Sequence, residues 1–133
     1  MNFFIKTNSS LPELVFPLTQ KLRMEYSITD EMLDNVAVTF SMIDAETGLY
    51  QIANVPANIV YKKLRPEYPD DFIYALTYRF KLTQTTKAGR FYGEFKLDFI
   101  SSGDSGGCGK LSLPNDGVIN IIISDSITKT TVI

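Results

Sequence analysis

The chain has 133 residues, 44% hydrophobic and 21% charged, the make-up of one globular domain rather than of a disordered segment. Its net charge of −2 lacks the basic footprint of a nucleic-acid binder, and its apolar runs fall far short of the roughly 20 residues a membrane helix needs. One cysteine, Cys108, cannot close an internal disulfide, so the chain is expected to be made in a reducing compartment or to need no oxidation.

Met1–Lys6 has no basic region followed by a long apolar stretch and does not read as a signal peptide. Phe3–Lys6 is a candidate strand. So is part of Leu14–Tyr26, where Pro17 implies a kink or an edge position. In Ser27–Asn35, Thr29 can cap one helical turn, while Met32 and Leu33 would equally suit a loop plugging one end of a sandwich. Val36, Val38, Phe40 and Met42 alternate with Ala37, Thr39 and Ser41, the period of a half-buried strand. The turn-rich Asp44–Gly48 follows, then a return strand over Leu49–Ala53 and a further alternating run from Ala57 through Ile59 to Tyr61.

Lys62–Asp71 reads as a charged loop with two prolines. The strongest alternation comes next: Phe72, Tyr74, Leu76, Tyr78, Phe80 and Leu82 on one face, then a polar turn, then Phe91, Gly93, Phe95, Leu97 and Phe99. Two such runs around a short turn carry a hairpin signature. After the Gly/Ser stretch Ser101–Lys110, Leu111 and Leu113 begin a short strand that Pro114–Gly117 stops. Val118–Ile123 is apolar enough for a strand covered on both sides. Seven to nine short strands in residues 1–133 predict one all-β domain, an immunoglobulin-like antiparallel β-sandwich with an extended N-terminal arm and a C-terminal tail. Phe40, Leu76, Phe80, Phe95 and Ile121 are the expected core.

The chemical motifs are poor. Gly103-Asp104-Ser105-Gly106-Gly107 matches the peptide around a chymotrypsin-like nucleophile, but that chemistry needs an imidazole and the chain has no histidine. A loop of small residues is the plainer account. One Cys and no His leave zinc without ligands. The pairs Asp70/Asp71 and Asp44/Glu46 fall short of a calcium loop. Cys108 has only Lys110 as a nearby cation, which suits an inert thiol. No glycine-rich phosphate loop precedes a helix. Tyr74, Tyr78, Phe91, Phe95 and Phe99, imagined as base-stacking platforms, lack a positive groove and read as core. The sequence therefore predicts no catalytic, cofactor-binding or metal-ligating residue, no enzyme activity, and no nucleic-acid or membrane partner.

Four stretches carry a likeness to a known family: Val38-Thr39-Phe40-Ser41-Met42-Ile43-Asp44, Ala53–Ala57, Ala88-Gly89-Arg90-Phe91-Tyr92-Gly93-Glu94-Phe95, and Leu113-Pro114-Asn115-Asp116-Gly117-Val118-Ile119-Asn120-Ile121. In this order, over about residues 36 to 123, the chain resembles the immunoglobulin-like N-terminal domain of phage baseplate upper proteins and related tail and head-fibre virion proteins. The resemblance implies an immunoglobulin-like fold, a virion location after synthesis in the host cytoplasm, and no catalytic residues. That family's domain typically anchors a longer chain. This sequence ends at Ile133, which favours a tail or baseplate adaptor or a capsid decoration over a fibre.

The expected function is that of a non-enzymatic virion structural protein binding other virion proteins and copies of itself. The expected contact segments are Asn2–Lys6, Lys62–Asp71 and Ser126–Ile133; the last is either an assembly arm or a closing strand of its own domain. The alternative is a carbohydrate- or receptor-binding module on the same fold, with Tyr61, Tyr68 and Tyr92 as aromatic platforms for a host-surface glycan.

Overall fold

Period-2 patterning becomes strand throughout the middle of the chain. A computed structural model describes residues 1–63, 72–99 and 109–125. In chain order it has β1 (Asn2–Lys6), β2 (Leu14–Leu18), α1 (Gln20–Glu25), α2 (Asp30–Asp34), β3 (Val36–Asp44), β4 (Tyr50–Pro56), β5 (Asn58–Lys63), β6 (Phe72–Tyr78), β7 (Gly89–Phe99), β8 (Gly109–Leu113) and β9 (Ile119–Ser124). One sheet runs β1-β9-β7-β3-β4, with β8 pairing the second half of β7; the other runs β2-β6-β5. All pairings are antiparallel except β1 with β9. Nine strands in two sheets make an all-β sandwich, and this strand order is the immunoglobulin-like one with an added fourth strand beside the third.

The two sheets meet through aromatic rings. Phe16 on β2 lies 6.3 Å from Phe95 on β7, and Phe40 on β3 lies 5.1 Å from Phe95 and 4.6 Å from Tyr78 on β6. Phe80, just past β6, meets Phe40 edge-on and stacks on Phe3 of β1. Aromatic pairs of this kind contribute roughly 0.5–1.5 kcal/mol each beyond the area they bury. All five residues expected in the core are buried, none exposing more than 1% of its surface.

Several expectations need correction. The two strongest alternating runs do not form a hairpin. β6 pairs with β2 and β5, whereas β7 pairs with β3, β8 and β9, so the chain crosses from one sheet to the other between them. The crossing is a 3-10 turn at Leu82–Gln84, fastened by Gln84, whose Oε1 accepts from the Tyr78 hydroxyl and the Lys81 N–H. Thr85 then ties the corner to the chain after β1: its hydroxyl donates to the Ser9 carbonyl and its own carbonyl accepts from the Asn8 N–H. The inward run ends at Phe80, and Leu82 is exposed.

Asn2–Lys6 is not a free arm but β1, parallel to β9, with Phe3 and Ile5 buried. β9 is fully covered on one face only: Ile119, Ile121 and Ile123 are buried, and Asn120, Ile122 and Ser124 are half-exposed. Lys62 and Lys63 close β5 rather than open a loop. Within Leu14–Tyr26 only β2 is strand. Thr19 caps α1 by accepting from the Leu22 N–H, and Leu22 and Tyr26 pack on the core. Thr29 caps α2 as expected, with Leu33 buried and Met32 against the core. Pro17 sits on β2, an edge strand, as its missing N–H requires.

Candidate interaction face

The inner residues of β7 are spent on the core, so any contact surface on the larger sheet comes from its outer residues. Register places them in rows. Tyr50 of β4, Ile43 of β3, Tyr92 of β7, Asn120 of β9 and Asn2 of β1 lie side by side across five strands. In the adjacent row Arg90 sits beside Ile122, and Ile122 beside Phe4. On the other side of the Tyr92 row, Ser41 lies beside Glu94. Tyr92, Tyr50 and Ile43 line a hollow of about 150 Å³ with Ser41, Gly93, Glu94 and Val118.

This half of the face is apolar and open. Phe4 is 63% exposed, Tyr50 65% and the neighbouring Leu49 71%, and Ile43, Tyr92 and Ile122 are half-buried. Apolar side chains left exposed on one sheet face make it a candidate contact surface. The charges within it are Arg90 and Glu94, two positions either side of Tyr92. Neither side chain makes a hydrogen bond or ion pair with another described residue. Farther along β7 the face turns polar: Thr39, Asn54, Lys96, Asp98, Lys110 and Ser112 line a groove of about 360 Å³.

Three of the edge strands, β4, β2 and β1, are less inviting. β4 carries two register shifts against β3, between Phe40 and Met42 and between Met42 and Ile43. Asn54 sits in the first with a positive φ of 48°. Its N–H donates to the Ser41 hydroxyl at 2.9 Å, and that hydroxyl donates back to Asn54 Oδ1 at 3.1 Å. Bulges bend an edge away from in-register addition of another strand. β2 has Pro17, and β1 is five residues long.

Other residues singled out in the sequence fall as follows. Asp44 closes the β3–β4 turn: its Oδ1 accepts from the Glu46 and Thr47 N–H groups, and its Oδ2 from Lys87 Nζ at 2.9 Å. Those donors, the lysine foremost, hold its carboxyl below the usual aspartate value, and Asp44 in turn raises the Lys87 ammonium. Among the described residues, no three His, Cys, Asp or Glu side chains gather to hold a metal. No described helix is long and apolar enough to cross a membrane. Tyr78, Phe91, Phe95 and Phe99 are buried, which removes them as stacking platforms. Burial also raises the Tyr78 hydroxyl above its usual value, partly countered by its bond to Gln84.

Tyr61 is 56% exposed and meets Tyr74 edge-on at 5.3 Å, with Arg23 lying 5.1 Å over Tyr74 and paired to Asp30. Tyr61 is therefore far in register from Tyr92, on the opposite sheet. Ser105, Cys108, Asp70, Asp71, Tyr68 and the tail Ser126–Ile133 lie outside the described residues. Comparison with protein-family models, with curated proteins and with solved structures returns no match.

Proposed function

We propose that this sandwich is a non-enzymatic virion structural protein, a tail or baseplate adaptor or a capsid decoration, that works by docking onto other protein surfaces. The observation that carries the reading is the open apolar half of the larger sheet, centred on Tyr92. A folded domain gains nothing alone from exposing Phe4, Leu49 and Tyr50 together, and gains from burying them in a partner. The phage affiliation is supported by the order of the strand and turn motifs between Val38 and Ile121. Relative to the sequence-based expectation, the contact surface moves from arms and edges to a sheet face.

The test is composition. Particles purified from lysed host cells and analysed by mass spectrometry should contain the chain at a fixed copy number, high for a capsid decoration and low for a tail component. Replacing Tyr92 by Glu should reduce its recovery in particles while leaving the domain folded. Absence of the wild-type chain from particles would refute the reading.

A glycan- or receptor-binding module on the same fold is the second reading. It is favoured by the hollow in which Tyr50 and Tyr92 stand beside the hydroxyl of Ser41 and the carboxylate of Glu94. Binding on a glycan array, lost with Tyr92→Ala, would replace the first reading with this one.

A further inference from the structure

The apolar half of the outer face has an internal symmetry. Arg90 and Glu94 stand at equal distances on either side of Tyr92 along β7, each about 7 Å away at strand rise. They are opposite in charge, and neither is neutralised within the described fold. On β9 the same spacing places Ile122 beside Arg90 and Val118 two positions beyond Asn120 on the Glu94 side. A surface that carries plus, aromatic, minus in a line is complementary to itself when turned end for end.

We infer that this face docks onto a second copy of the chain, forming a two-fold symmetric, face-to-face dimer. The inference rests on the protein-contact reading above and names its partner. Two sheets laid face to face can have the two-fold axis in the plane between them, running either across the strands or along them. An axis across the strands at the Tyr92 row sets each Arg90 against the Glu94 of the other copy. It stacks Tyr92 on Tyr92 and Ile43 on Ile43, and brings Ile122 to the other copy's Val118. An axis along β7 would set Arg90 on Arg90 and Glu94 on Glu94, which like-charge repulsion disfavours. The charges therefore select one arrangement, with the two β7 strands antiparallel across the interface and the sheets aligned to within about 30°.

The contact is modest. Five strands at about 4.8 Å spacing span about 24 Å, and the three rows occupy roughly 17 Å along the strands, a flat footprint near 400 Å² per copy. At about 800 Å² for both copies together, that lies below the range of stable specific interfaces, so the dimer should be weak and concentration-dependent in free solution.

Sedimentation equilibrium of the purified chain over the micromolar range should show a reversible monomer–dimer equilibrium. Arg90→Glu and Glu94→Arg, each alone, should raise the dissociation constant about tenfold, because each places like charges at both symmetry-related contacts. Melting temperatures should stay at the wild-type value. Mixing the two variants one to one should restore wild-type association as a heterodimer, since residue 90 of one copy always meets residue 94 of the other. A monomeric wild type, a dimer indifferent to the single substitutions, or no recovery on mixing would each overturn the inference. These outcomes are independent of particle composition. A chain that is monomeric yet present in virions overturns the dimer alone; one that dimerises yet is absent from virions overturns the reading beneath it.

Discussion

Gly93 is the tightest point of the sandwich, and filling it gives a sharp test of how the core is packed. It lies on the inner side of β7 between Ile121 of β9 and Phe40 of β3. A Cβ placed there would stand 2.7 Å from Ile121 Cδ1 and 3.0 Å from Phe40 Cζ. Carbon atoms in contact settle near 3.5–4.0 Å, so the isoleucine methyl must retreat by about 1 Å. Ile121 and Phe40 are both at 0% exposure, which leaves little space for that retreat.

Overpacking of this kind costs about 1–3 kcal/mol, and the reduced freedom of the unfolded chain returns about 0.4–1 kcal/mol. Gly93→Ala should therefore destabilise the protein by about 1–2 kcal/mol, lowering the melting temperature by roughly 4–8 °C for a domain of this size. Chemical denaturation monitored by tyrosine fluorescence would measure it. The second arm uses Ile121→Val, which removes the obstructing Cδ1 and alone should cost about 0.5–1.5 kcal/mol. Combined, the two should cost less than their sum by at least about 0.5 kcal/mol. Gly93→Ala as stable as the wild type, or strict additivity in the double variant, would refute the packing argument.

Phe95→Ala removes the ring that joins Phe16 and Phe40 across the sheets and should cost about 3–5 kcal/mol; a loss below about 1 kcal/mol in denaturant titrations would mean the ring is not a core contact. The Asp44–Lys87 pair makes a signed pH prediction. Because the carboxyl is held below its ordinary value of 3.8, its contribution is fully present above that pH and is lost as pH falls through the lowered folded-state value. Asp44→Asn should be less stable than the wild type near neutrality and converge with it in strongly acidic solution, as thermal melts from neutral to acid pH would show. A constant gap across that range would refute the assignment.

Much of the fold was legible because a strand with one buried face writes its face in every second residue. Phe91 to Phe99 and Val36 to Met42 carry that period: Phe91, Phe95, Leu97 and Phe99 are buried, as are Val38, Phe40 and Met42, with Val36 half-buried and the outer Ser41 buried beside them. Alternation names a face but not a partner, which is why β6 and β7 passed for a hairpin: both turn apolar residues toward the same core from opposite sheets. Six residues are too few to express a helical period, so α1 left only its cap, Thr19, as a signal, shortly after Pro17. The proposed contact face was hidden for a related reason. Tyr50, Ile43, Tyr92 and Phe4 are scattered along the chain, each on the outer side of its own strand, and of the four only Tyr92 stands out in the sequence, as a glycan platform. Only the pairing register sets them in one patch.

The parallel pairing of β1 with β9 has a consequence for how the protein is made. β1 is made before every other described strand, but its hydrogen-bonding partner β9 comes last among them, with Asn2 opposite Asn120. Contacts so distant in sequence form slowly because a long loop must close before they repay its entropy. Until β9 is made, Phe3 and Ile5 lack their pairing strand, because the row of isoleucines that will receive them does not yet exist. The nascent chain thus carries a short, sticky strand until β9 is made, and over that interval association with neighbouring nascent copies competes with folding. Synthesis that outpaces this last closure should therefore fill inclusion bodies, and slower translation or a lower growth temperature should favour the soluble domain.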